Sequence, residues 1–291
     1  MNPPLTQFAG CLALFGSLVV ISCRAPQPPP PPAPTPLSLR QALAPESHAE
    51  AMALLVAGPP GKEIFRSYHP SRVSPWAPNW TSRVDLSGVA WDTRRAGVLV
   101  SPQHVLFSDH HQRAIGETLV FHDRYGRPYH RKLARKMSLP GKLDPDVTVG
   151  LLDRTIPIPF YRVLPPSNDW QLYLKGATAL ITDSERHLFL AQAGGVAWRR
   201  IVFRGAVDGL PPYYYEQLVK GDSGHPSFLL VKGEPVLLST HTFGGSGSGP
   251  FFSEPRNFYE INSAMRQLGS HFQLSVVPLG TVSADAVSAV R

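Results

Sequence analysis

Cysteine is nearly absent. Cys11 and Cys23 are the two in 291 residues, so the chain after Cys23 can hold neither a disulfide nor a thiolate metal site. Charge is scarce as well: Asp, Glu, Lys and Arg make up 17% of the sequence, which argues against a bundle of long charged helices. The net charge of +7 is spread over pairs such as Arg94-Arg95, Arg131-Lys132, Arg135-Lys136 and Arg199-Arg200. There is no single basic run and no nucleic-acid-binding motif, so a nucleic-acid partner is not expected. No repeat of fixed period is present. Long apolar runs are missing too: the longest, residues 8–21 (FAGCLALFGSLVVI), is too short to span a bilayer comfortably as a helix. No cofactor and no metal are expected.

What is abundant is proline (31) and glycine (24), alongside 43% hydrophobic residues. Such a chain has enough apolar material for one large domain or two small ones, with many turns. Residues 8–21 have the length of a signal-peptide core, although the preceding MNPPLTQ lacks Lys and Arg. The run ends Val20-Ile21-Ser22-Cys23, which resembles the lipobox of bacterial lipoproteins. The resemblance implies cleavage before Cys23 and lipid on its sulfur. Residues 1–22 then form a signal peptide, and 23–36 an anchor cysteine with a proline-rich tether. Proline-rich chain is extended and stiff, rising about 3.1 Å per residue. The expected location is the bacterial cell envelope, with the membrane as a partner through the anchor.

Residues 37–56 read as helix, broken near Pro45, and residues 37–84 as a whole as a helical and irregular lead-in. From residue 85 to the end the pattern is of short strands. Residues 96–100 and 105–107 form one expected hairpin, and 118–121 and 129–133 another. Residues 147–152, 170–174, 177–182, 187–191, 201–204, 227–231 and 236–239 are further strands. The stretch 156–167 reads as a crossover linker, and Asn262 caps a short helix at 263–268. The fold class is all-β, a barrel or sandwich.

Three segments carry chemistry. Gly221-Asp222-Ser223-Gly224-His225-Pro226 precedes an apolar strand. A serine hydroxyl needs a neighbouring base and donors for the oxyanion it creates. Glycines around it let the amides of Gly221 and Ser223 turn into one small hole. The second segment is Ser101-Pro102-Gln103-His104-Val105-Leu106-Phe107-Ser108-Asp109-His110. The third is Asp144-Pro145-Asp146-Val147-Thr148-Val149-Gly150-Leu151-Leu152. The first string resembles the nucleophile motif of trypsin-like serine peptidases. The second is similar to their strand-then-histidine segment, with Asp109 and His111 where the family has Ala and Cys. The third is similar to their aspartate before an apolar strand.

The resemblance covers residues 85 to 270. It implies two antiparallel chymotrypsin-like β-barrels with a short C-terminal helix, and a catalytic set of His110, Asp146 and Ser223 with Gly221 and Ser223 as the oxyanion hole. His111 is the alternative base and Asp144 the alternative acid. The order His, Asp, Ser is that of the chymotrypsin type. The residue six before the nucleophile, Gln217, would form the pocket base, so cleavage after Lys or Arg is not implied. Ser239 would lie near the Asp–His pair. His241 would edge the substrate pocket, a feature shared with glutamate-selective relatives, or act as a structural rim residue. Asp222 corresponds to the residue that pairs with a freshly cut N-terminus in zymogen-type members. The chain has no Ile-Val-Gly-Gly site, and Ser82-Arg83-Val84 is the one candidate for such a cut. The expected activity is serine endopeptidase, with a protein or peptide as substrate. A catalytically silent binding lipoprotein on the same fold is the alternative.

Overall fold

The computed structural model describes residues 57–140 and 145–279, together with Ala53. The expected signal peptide, Cys23, the tether and the helical stretch 37–56 (Ala53 apart) lie outside the described residues, as does Asp144. Among the described residues no helix is long and apolar enough to cross a membrane.

Among the described residues twelve strands form two six-stranded antiparallel sheets. The first contains β1 (Val89–Ala90), β2 (Gly97–Leu99), β3 (His104–Phe107), β4 (Thr118–His122), β5 (Pro128–Ser138) and β6 (Thr148–Leu152). Its order is β1-β2-β3-β6-β5-β4. The Trp91 amide, just past β1, donates to the Val120 carbonyl of β4 at 3.2 Å, which brings the two edges together. The second contains β7 (Thr178–Thr182), β8 (Leu188–Ala197), β9 (Arg200–Phe203), β10 (Pro226–Val231), β11 (Glu234–Thr240) and β12 (Ser248–Pro250), in the order β11-β10-β7-β8-β9-β12. Here the closing bond runs from the Phe252 amide, just past β12, to the Leu238 carbonyl of β11 at 3.0 Å. Followed around the ring, both sheets have the same connectivity: first, second, third, sixth, fifth, fourth. Closure removes the unpaired edges that would otherwise invite association.

The apolar strings expected to be central strands are so. All five residues of β6 and all six of β10 are buried. Inside the first barrel Phe107 is fully buried, and a Cβ at either Gly97 or Gly150 would come within 2.7 Å of its ring. Those two glycines make the volume that the phenyl ring fills, and close packing of this kind is sensitive to a single methylene.

Three sequence expectations differ from the fold. Residues 170–174 are not a strand: Trp170–Tyr173 is a single helical turn, α1. Trp170 and Leu174 are fully buried while Leu172 is 68% exposed, a four-residue spacing that suits a helix and not a strand. The C-terminal helix, α2, runs over Pro255–Gln267, longer than expected, and its cap is Glu254, whose side chain accepts from the Asn257 amide, with Pro255 in the first turn. Asn262 instead sits buried inside the helix and accepts the Leu274 amide at 2.7 Å. Strands β1 and β12, two and three residues long, are too short to carry a periodic signal.

The irregular lead-in is built into the core. Ile64 and Trp80 are fully buried in the cluster that also holds Val98, Leu106 and Phe228. The backbone around Lys62–Ile64 bonds to the start of β8: Leu188 N to Lys62 O at 2.7 Å and Ile64 N to Arg186 O at 2.9 Å.

Candidate active site

His110 stands in a one-turn 3-10 helix, Asp109–His111, directly after β3. Asp146 lies just before β6, the neighbour of β3 in the sheet. Ser223 lies in the loop before β10 of the other barrel. The strand registers thus bring together residues separated by up to 113 positions. His110 Nδ1 is 2.7 Å from Asp146 Oδ2, and His110 Nε2 is 2.9 Å from Ser223 Oγ. A second bond, His110 N to Asp146 Oδ1 at 2.9 Å, holds the backbone of the histidine to the same carboxylate.

Asp146 is fully buried. Burial alone would push its carboxyl up, but the Ser108 hydroxyl, the His110 amide and the His110 ring together hold it below the usual range. It is therefore an ionised acceptor. Nδ1 of His110 must carry the proton of the bond between them, which leaves Nε2 as the acceptor for the Ser223 hydroxyl.

The tandem histidine has a different partner. His111 Nδ1 is 3.1 Å from the carbonyl oxygen of Ser223, and its ring lies nearly parallel to that of His110, with centroids 6.3 Å apart.

Gly221 has φ +112° and Gly224 φ +88°, the left-handed region that favours glycine. A Cβ at Gly224 would touch Ser108 and the Ala96 carbonyl at 3.6 Å, so this glycine also permits a close approach of the loop carrying Ser223 to the first barrel. Among the described residues the amides of Gly221 and Ser223 have no hydrogen-bond acceptor within the chain, whereas those of Asp222, Gly224 and His225 do. Two free donors flank Asp222.

Asp222 itself is buried. Its carboxylate accepts the Ser184 amide at 3.0 Å and the Val219 amide at 2.6 Å.

Gln217 is exposed and precedes Leu218, which bridges Gly245. His241 is 1% exposed, packs edge-on against Phe203, and lies beside Gly247 and Leu218. Among the described residues neither of its ring nitrogens has a partner, and burial lowers its pKa to about 3.

Ser239 does not meet the Asp–His pair. It pairs with Ser227 inside the sheet, and its hydroxyl donates to Thr240 O at 3.0 Å. A register shift in the β10–β11 ladder between Ser227 and Phe228 puts an extra residue, Leu238, on β11. One extra residue reverses the face a side chain presents. The hydroxyl bound to Asp146 is that of Ser108, at 2.5 Å, which the strand-then-histidine string contains but which nothing in the sequence marks.

Two clefts of about 350 and 240 Å³ lie between α1 and the β8–β9 hairpin, and no residue lining them belongs to this cluster.

No family model and no curated protein matches the chain. Among solved structures it is similar to human heparin binding protein, at 12% identity over 61% of this chain and 88% of that one, with a TM-score of 0.45. The strand order repeated in both barrels, closed at each seam, is the double-barrel all-β architecture of the trypsin-like fold.

Proposed function

We propose that the protein is a serine endopeptidase that cleaves peptide bonds through Ser223, His110 and Asp146. The reading is carried by one observation: a serine hydroxyl at 2.9 Å from an imidazole whose other nitrogen is 2.7 Å from a buried carboxylate. In this mechanism Ser223 Oγ attacks the scissile carbonyl while its proton passes to His110 Nε2. The oxyanion forms against the amides of Gly221 and Ser223. Collapse of the tetrahedral species breaks the C–N bond, and the leaving amine takes the proton from His110. Water then attacks the acyl-enzyme, again through His110 as base, and the acid product leaves. Asp146 holds the imidazole in the required tautomer and stabilises its cation.

A fluorophosphonate probe is expected to label Ser223 stoichiometrically. Labelling is lost in Ser223→Ala and strongly slowed in His110→Ala, read by intact-protein mass spectrometry. A folded wild type that remains unlabelled would return the catalytically silent lipoprotein as the better reading.

With Gln217 at the expected pocket base, substrates cleaved after Lys or Arg are not favoured. The protein or peptide substrate is met in the bacterial envelope, where Cys23 carries the lipid. Activity does not require a proteolytic cut. The Asp222 carboxylate already has two amides of the chain as partners, and Val84 is buried as the cap of a 3-10 turn. Active protein is expected to show no new N-terminus at Val84 by mass spectrometry, and finding one would reverse this point.

A further inference from the structure

We propose that His111 is a positioning residue for the nucleophile loop, acting through the Ser223 carbonyl. The inference rests on the hydrolase reading of Ser223. Peptide groups around the nucleophile can be accounted for one at a time. The peptide joining Asp222 and Ser223 has its carbonyl bonded by the His225 amide at 3.1 Å, while its own N–H is free. The next peptide, joining Ser223 and Gly224, is held at both ends. Its N–H donates to the His241 carbonyl at 2.9 Å, and its carbonyl faces His111 Nδ1 at 3.1 Å. A carbonyl can only accept, so His111 Nδ1 is the donor.

The two ties come from different barrels. His241 belongs to the second, with the nucleophile. His111 belongs to the first, and it is the immediate neighbour of the catalytic base in the same 3-10 turn. The turn therefore grips the nucleophile residue twice, at Oγ through His110 and at the carbonyl oxygen through His111. Without the second contact, the peptide after Ser223 loses its first-barrel tie and can rotate. A looser peptide lets Cα of Ser223 shift, which changes the angle between Oγ and His110 and carries the Ser223 amide out of its oxyanion-binding position. Neither effect needs a change in how substrate side chains bind, so the loss falls on the chemical step and not on substrate affinity.

The test compares His111→Phe, which keeps an aromatic ring beside His110 but has no donor, with His111→Asn, whose side-chain amide can donate near the Nδ1 position. Fluorophosphonate labelling rates are measured per folded molecule, with kcat and KM on an activated ester. His111→Phe is expected to slow labelling and lower kcat by about 10- to 100-fold, within or below the range for losing one oxyanion donor, with KM changed less than twofold. His111→Asn is expected to recover all but about threefold of that loss. Wild-type rates in folded His111→Phe, a loss confined to KM, or His111→Asn as slow as His111→Phe would each overturn the proposal. So would failure of both variants to fold, which would make the bond a structural tie. An unlabelled wild type removes the hydrolase reading, whereas unchanged His111→Phe in a series whose wild type labels removes this inference alone.

Discussion

Asp146→Asn is expected to lower kcat by about 10⁴ while leaving the fold intact. The magnitude is that of the general Ser-His-Asp triad, and the cause can be followed atom by atom. Asp146 receives the His110 amide, the Ser108 hydroxyl and the His110 Nδ1 proton. An asparagine of the same shape keeps a carbonyl oxygen for one side of that set and brings an NH₂ group to the other. Facing Nδ1, that NH₂ donates, and the imidazole must move its proton to Nε2. A protonated Nε2 cannot take the Ser223 proton. The oxyanion donors at Gly221 and Ser223 are untouched, so residual activity over water should persist. Ser108→Ala is the comparison: it removes one donor to the same carboxylate but leaves the ionised acid in place, and a loss under about tenfold is expected from a single hydrogen bond. Steady-state hydrolysis of an activated ester, with circular dichroism to check the fold, measures both. Asp146→Asn retaining more than about a tenth of wild-type kcat would remove the assignment of Asp146.

The second large effect concerns stability. His104, His225 and His241 are each no more than 1% exposed. Burial lowers their pKa values to about 4, about 4 and about 3. In the unfolded chain each titrates near 6.5. Between about pH 4 and pH 6.5 the unfolded chain therefore holds protons that the folded chain excludes, and stability rises with pH across that window. Unfolding near pH 5 should take up roughly two to three protons, a slope of about 3 kcal/mol per pH unit.

One group works in the opposite sense. His187 is raised by its hydrogen bond to Asp183, with Glu216 adding a smaller attraction. Its contribution is fully present below its unfolded pKa and is lost as pH rises through the folded one. The carboxylates of Asp146 and Asp183 are lowered, so their contribution is present above the unfolded value and is lost on further acidification. Burial lowers His122 in the same sense as those three, so together they outweigh His187, and the protein should lose thermal stability steeply on going from pH 6.5 to pH 4. A Tm that stays flat over that range would contradict the neutral burial of these three rings.

The fold was largely legible from local strings. Largely apolar runs such as 147–152 and 227–231 fit strands covered on both faces, and the turn-rich sequence between runs argued against long helices. What escaped was either too short for a period, as in β1 and β12, or ambiguous at five residues, as in 170–174, where burial of Trp170 and Leu174 with exposure of Leu172 made a helical turn. The lead-in reads as helical and irregular, and of it residues 57–84 are described together with Ala53. Its packing into the core was invisible because Ile64 and Trp80 carry no periodicity of their own.

For the candidate site, residue identity and residue contact have different origins. Ser223, His110 and Asp146 could be named from three strings, through the resemblance of each to a segment of the trypsin-like serine peptidases. Which histidine faces the serine side chain, and which hydroxyl meets Asp146, could not. His110 and His111 are adjacent in a turn. Only the approach of the second barrel decides that one meets Ser223 Oγ and the other the Ser223 carbonyl. Ser239 is the hydroxyl that the resemblance implies, but its side chain bonds the Thr240 carbonyl, and the hydroxyl bonded to Asp146 is that of Ser108.

The sequence by itself determined the all-β class, the absence of disulfides after Cys23, and the chemical types at the site, because these follow from composition and from neighbours along the chain. Tertiary structure alone decided the partners of those groups. A hydrogen bond selects over tenths of an ångström, and only the closing of two barrels sets distances on that scale between residues more than a hundred positions apart.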